Sequence, residues 1–143
     1  MRDALATIRT YLATIAGITA ITGTGKRLVA GPNLPAGYKP QDGSALLFNI
    51  RSGSQDYTSG MLNPSIQFRS YGGFDEGERV MQGNAAAWAL DQALYDGVND
   101  KTYEAGNIAF FRLEDGTFPV LLNEPGTDWP YVLSFYRVHI RNN

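Results

Sequence analysis

The sequence predicts an α+β fold: a mainly antiparallel sheet of four to five strands packed against one long helix, 75–98, and a shorter N-terminal helix. Three observations carry this. Between Asp75 and Val98 the apolar residues keep a helical period over a wide arc. Val80, Ala87, Leu94 and Val98 form one row, Trp88 and Tyr95 the row beside it, and Leu90 closes the arc, with Glu78, Gln82, Gln92 and Asp96 opposite. An arc this broad suits a helix laid on a sheet rather than a narrow coiled-coil seam, and it places Trp88 in the core. The segments on both sides of it read as strands by length, apolar content and alternation. Sixteen glycines point to many turns and to long ordered loops.

In chain order, residues 3–16 form the shorter helix, with Leu5, Ile8, Leu12 and Ile15 on one stripe, Ala4 and Tyr11 beside it, and Gly17 as its end. Its threonines lose rotamer freedom in a helix, so it needs packing against the sheet. The GTGK run at 23–26 resembles the tail of a phosphate-binding loop but fails the test: the first glycine would fall on Ala20, and Arg27 occupies the place of the metal-binding hydroxyl. It is read as a turn. Residues 30–43, rich in proline and glycine, are a long surface loop pinned by Leu34 and Tyr38. Ser44–Ile50 is the first strand.

Residues 51–64 form a second long loop, read as either a hairpin tip or a mobile arm that orders on contact with a neighbour. Ser65–Tyr71 is the hairpin partner of the first strand, with Ile66 and Phe68 on one face and Gln67, Arg69 and Tyr71 on the other. Gly72 and Gly73 break it. Asp75 with Glu78 forms a capping box at the start of the long helix. Asn107–Leu113 is a third strand, Glu114–Gly116 a tight turn, and Phe118–Leu122 a fourth strand whose Pro119 belongs at an edge or a strand start. A third loop, 123–130, precedes the longest strand, Tyr131–Ile140, which should be central.

The length suits one domain, 1–143. A formal charge of -2 gives no support to a nucleic-acid surface built on bulk attraction. Cysteine is absent, which excludes disulfides and thiolate metal sites, and no stretch approaches a membrane span. The first residues read as part of the fold rather than a signal peptide.

No catalytic set stands out: no catalytic, cofactor-binding or metal-ligating residue is assigned. The single histidine, His139, lies in a strand with no ordered carboxylate cluster near it. The acidic residues Asp75, Glu76 and Glu78 are accounted for by helix capping. Asp91 breaks the apolar arc of the long helix and is either a helix-edge residue reaching solvent or an arginine, or a subunit contact. Tyr57, Tyr71, Trp129, Tyr131 and Tyr136 lie beside loops or on outward strand faces, as interface aromatics do. The candidate subunit contacts are therefore Tyr57, Met61 and Leu62 for contact area, Arg51 and Asp56 for register, and Asp91, Trp129 and Tyr131.

The order of these features resembles that of the tail terminator, or tail completion, proteins of long-tailed bacteriophages. The passages that carry the resemblance are LATIAGITAITGTGKRLVAG leading to Leu34-Pro35, SIQFRSYG before the helix, AAWALDQALYDGV within it, and the closing YVLSFYRVHI. The resemblance covers nearly the whole chain through short, degenerate motifs. The 31–43 linker and the 123–130 insertion are longer than that plan. The resemblance implies a non-enzymatic virion protein without a cofactor, forming a homo-oligomeric ring, usually a hexamer. Such a ring caps the finished tail tube, contacts the tube protein, and presents a surface to the head–neck connector or stopper. Double-stranded DNA would pass through it without specific binding, and no membrane is involved. It would reside in the virion neck or tail, and in the host cytoplasm during assembly. The alternatives are another neck, head–tail joining or minor virion protein, or a small ligand-binding domain.

Overall fold

The computed structural model describes residues 4–56, 61–75, 79–102 and 108–141. The elements are helices α1 (Ala4–Leu12), α2 (Ala16–Ile21) and α3 (Arg79–Val98), a 3₁₀ turn at Pro40–Asp42, and six strands. These are β1 (Leu28–Ala30), β2 (Ala45–Asp56), β3 (Met61–Tyr71), β4 (Ile108–Leu113), β5 (Val120–Asn123) and β6 (Pro130–Arg141). The sheet order is β1-β2-β3-β6-β4, with β5 also paired to β6. All pairings are antiparallel except that of β1 with β2. This is the expected α+β architecture, with β6 inside the sheet.

Strand alternation sorts side chains onto two faces. Tyr136, Val138 and Ile140 of β6, Ile66 and Phe68 of β3, and Leu46 and Phe48 of β2 are buried in one core cluster. Over them lie Ile8, Tyr11 and Leu12 of α1, Ile18 of α2, and Leu90, Leu94 and Val98 of α3. The opposite face carries a smaller cluster of Tyr38, Ala45, Leu47 and Tyr71, with Leu34, Trp129 and Tyr131 packed against it. Leu34 and Tyr38 thus hold the proline-rich loop to the sheet, as expected. The hairpin of β2 with β3 is also as expected.

Several expectations are corrected. The N-terminal helix ends early: the Thr14 hydroxyl donates to Tyr11 O at 2.6 Å, and Ile15 is extended. Such local side-chain bonding competes with the helix ladder. The chain then re-enters a helix that contains Gly17, the expected stop. The GTGK turn is followed by a strand, β1, too short for alternation to mark it. Gly23, Thr24 and Gly25 all have positive φ. The adjoining Arg27 guanidinium donates to Ser44 O at 2.8 Å and Ile21 O at 3.1 Å. The proline-rich loop is not wholly irregular, since it contains the 3₁₀ turn.

Most of the expected 51–64 loop is strand. β2 continues to Asp56 and β3 begins at Met61, in register through Ser52–Ser65 to Asp56–Met61, with a bulge between Ile50 and Ser52. Serine and glycine weaken a strand's sequence signature, but backbone pairing to β6 on the far side of β3, Met61 to Arg141 and Leu62 to Ile140, supports it regardless of side chain. The tip, with Tyr57, lies outside the described residues.

The long helix is described from Arg79. Glu78 of the expected capping box lies outside the described residues, and the Asp75 N–H is held by Gln82 Oε1 at 3.1 Å. Trp88 is 43% exposed and Tyr95 42%. The arc is therefore narrower than expected, centred on Ala87, Leu90, Asp91, Leu94 and Val98. The third and fourth strands do not form a hairpin with each other. Both run antiparallel to β6 along one edge, Leu113 opposite Tyr136 and Val120 opposite Leu133. The Glu114 N–H bonds Phe135 O at 3.0 Å, and residues 114–119 loop out between them. They are one interrupted edge strand.

Candidate subunit interface

The residues expected to meet a neighbour are placed very differently from one another. Leu62 is 8% exposed and belongs to the core. Asp91 is 6% exposed and turned toward β6, so it is neither at a solvent-reaching helix edge nor offered to another subunit. Burial raises its carboxyl above the ordinary value, and the nearby Ser134 hydroxyl offsets this in part. Yet neither Asp91 Oδ1 nor Ser134 Oγ has a partner of hydrogen-bond geometry. Tyr136, expected on an outward face, is 1% exposed in the core, and burial pushes its hydroxyl well above the ordinary tyrosine range. The side chains of Asp56, Tyr57 and Met61 lie outside the described residues.

Arg51 is exposed, but its own domain holds it. The guanidinium stacks 4.3 Å over the Phe135 ring, and Nη1 lies 3.8 Å from Glu114 Oε2. Glu114 is the hub of a small network at the base of the hairpin. Its Oε1 accepts from Arg137 Nη2 at 3.1 Å, and its Oε2 from Ser65 Oγ at 2.6 Å. Arg137 Nη1 in turn donates to Asn63 O at 3.0 Å. These contacts tie β2, β3, β6 and the 114–119 loop together where a mobile arm was one expectation.

Trp129 and Tyr131 are half-buried in the second cluster. Trp129 meets Tyr38 edge-on at 5.6 Å, and Tyr131 packs on Tyr71 at 5.1 Å, with Arg69 5.6 Å above the Tyr131 ring. Burial, then the Glu124 carboxylate, push the Tyr71 hydroxyl up to about 12. These rings present partial faces, as rim residues do.

Large apolar exposure lies elsewhere, at Ile50, Trp88, Tyr95, Phe118, Val120 and Leu122, with Phe118 81% exposed. Sequence reasoning missed this set. The uncharged FPVLL run at 118–122 could have signalled an open edge, but a helical period alone does not say which flank of α3 is covered. His139 stands beside Phe110, ring centroids 6.2 Å apart. Among the described residues no group of three His, Cys, Asp or Glu is placed to hold a metal. An open pocket of about 190 Å³ lies between the 3₁₀ turn and the start of α3, lined by Pro40, Ser44, Gly73, Phe74, Asp75 and Gln82. Ligand sites usually run to roughly 300–1,000 Å³ with apolar walls.

No family model matches the chain, and no curated protein matches it. Among solved structures it is similar to a chain of the "Virion of native gene transfer agent (GTA) particle". That match has a TM-score of 0.58 and 13% identity, and covers 96% of this chain and 93% of the other. At that identity the likeness establishes a shared fold from end to end.

Proposed function

We propose that this protein is a structural subunit of a tailed, phage-like particle. It forms the ring that caps the completed tail tube and meets the head–neck connector. The end-to-end fold likeness to a virion component carries the reading, since it leaves almost no part of either chain unmatched. The order of sequence features resembling tail terminators points the same way. So does the surface, where apolar exposure is concentrated on strand edges and a helix flank rather than in a concave pocket. The ring is a homo-oligomer, expected to be a hexamer, whose role is mechanical and needs neither metal nor cofactor. Its lumen passes duplex DNA without reading it.

Particles assembled without the protein provide the test. Tails of uncontrolled length, corrected by adding back the purified chain, are the expected result. Tails of normal length that fail to join heads would assign it instead to another neck position. Particles normal in both respects, with the protein absent from purified virions by mass spectrometry, would overturn the reading.

A further inference from the structure

The two lateral edges of the sheet differ in charge, and both offer unpaired backbone. On one side, β1 pairs with β2 only from Leu46 to Phe48. Beyond the Gly31 N–H bond to Phe48 O, no described strand pairs with the outer edge of β2 from Ile50 to Asp56. On the other side, nothing described pairs with the outer edge of β5. The remaining edges are partly covered among the described residues. The Arg9 Nε donates to Leu28 O of β1 at 3.2 Å, and Phe111 of β4 bridges to Asn99 and Lys101. Natural sheets blunt exposed edges with charge or with covering segments. β5 has neither along FPVLL, only the single Pro119 before its start.

The charges are sorted to match. Residues 4–41, which build α1, α2 and the β1 side, contain Arg9, Lys26, Arg27 and Lys39 and no acidic residue, with Asp42 directly after them. Arg9 and Arg27 donate to backbone carbonyls of their own domain. Residues 113–129, which build the β5 side, contain Glu114, Asp115, Glu124 and Asp128 and no basic residue; Arg112, just before them on β4, is paired with Asp100. Glu114 is neutralised by Arg137 and Arg51, which leaves three carboxylates on that edge. Exposed apolar area is divided between the same two edges. Val120 is 46% exposed and Leu122 38% on β5, and Ile50 46% on β2. Trp88 and Tyr95 extend the β5 patch. Gly97 packs against Ile15 and Ile18 at the α2 side of α3, and Trp88, nine residues earlier, is about two and a half turns away and so points oppositely.

We propose that the β5 edge of one subunit is joined by the outer edge of β2 from a second copy of this chain, in a head-to-tail contact. β5 is antiparallel to β6, β6 to β3 and β3 to β2, so a like-oriented copy brings its β2 antiparallel to β5. Because Val120 is level with Leu47 through Leu133 and Arg69, the copy is displaced along the strands by about five residues, roughly 17 Å, to set its free 50–56 edge against β5 and extend the sheet. Opposite patches that complement each other but not themselves give a heterologous interface, which closes into a ring or runs on as a filament. This deepens the ring reading above and takes from it only the closure.

The chain has no cysteine, so paired cysteines report the contact directly. Val120→Cys and Ser52→Cys, on the two edges, are combined in one chain and treated with a short bis-maleimide. The double variant should give a ladder of covalent oligomers, and each single variant only monomer. Val120→Lys, a charge on the open edge, should weaken association about tenfold or more without moving the melting midpoint. Association should also weaken with ionic strength. Dimers from Val120→Cys alone would show like edges meeting and overturn the inference. So would rings that assemble normally in the Val120→Lys variant without a ladder in the double variant, which would leave the ring reading intact. A ladder from open filaments would keep the contact and remove the ring. A chain monomeric at every concentration would remove both.

Discussion

The Asp91 carboxylate is buried under α3 beside the Ser134 hydroxyl of β6, and neither Asp91 Oδ1 nor Ser134 Oγ completes a hydrogen bond. The groups ranged around this seam are tyrosines and another acid: Tyr136 feels the charges of Asp91, Tyr95 and Asp96. Among the described residues no cation offsets the carboxylate, and burial raises its pKa above the ordinary 3.8. A carboxyl raised on folding contributes stability that is fully present below its unfolded pKa and is lost as pH rises through the folded value. Asp91→Asn should therefore raise the unfolding midpoint at pH 7, by on the order of 1 kcal/mol, and have little effect near pH 4. Melts of both proteins across that range check it; a variant less stable at pH 7 would contradict the assignment.

Glu114 is 14% exposed and takes Arg137, Arg51 and Ser65 at once. Glu114→Ala should cost about 2–3 kcal/mol, because it leaves two guanidinium groups facing each other and a buried hydroxyl unmatched. Hydrogen exchange should show the amides of Leu62, Asn63 and Ser65 opening faster in the variant. Unchanged protection there would mean that strand pairing alone holds the arm.

Trp88→Ala should change stability by no more than about 1 kcal/mol, since the ring is 43% exposed. Phe68→Ala, in contact distance of the Phe48, Phe111 and Tyr136 rings, should cost about 3–5 kcal/mol. Urea titrations of the two variants side by side decide this. A large loss for Trp88→Ala would restore it to the core.

Gly72→Ala should prevent folding or cost more than about 4 kcal/mol. A Cβ there would lie 1.8 Å from Gly83 O and 2.8 Å from Ala87 N, and both are helix backbone that cannot yield. Gly37→Ala, with nothing within 4 Å, is the matched control and should be nearly neutral. Equal expression and equal melts for both variants would show that β3 and α3 are not in such close approach.

Legibility in the sequence followed the strength of local signals. The alternation of SIQFRSY and YVLSFYRVHI, and the helical period of α3, report which residues face a core, because burial imposes periods of 2 and 3.6 on the chain. Those strands, the hairpin of Ser65–Tyr71 with Ser44–Ile50, and the helix packed over them were accordingly legible. The three residues of β1 are too few to show a period, and the serines and glycines of 51–56 carry no apolar record of their pairing. The candidate site was less legible still. Arg51, expected to set register at a subunit contact, is exposed but stacked on Phe135 of its own domain, whereas Leu62 and Asp91 are buried.

Readable from the residues alone are the class of fold, the order of most of its elements, the lack of thiol chemistry and the two charge-sorted segments, 4–41 and 113–129. That those segments lie on opposite edges of one sheet, that β4 and β5 are one interrupted strand, and that Trp88 faces out while Asp91 faces in, emerges from the assembled fold. The physical reason is range: local periodicity records that a face is buried, whereas which flank is covered and which edge stays open depends on strands and helices brought together from distant parts of the chain.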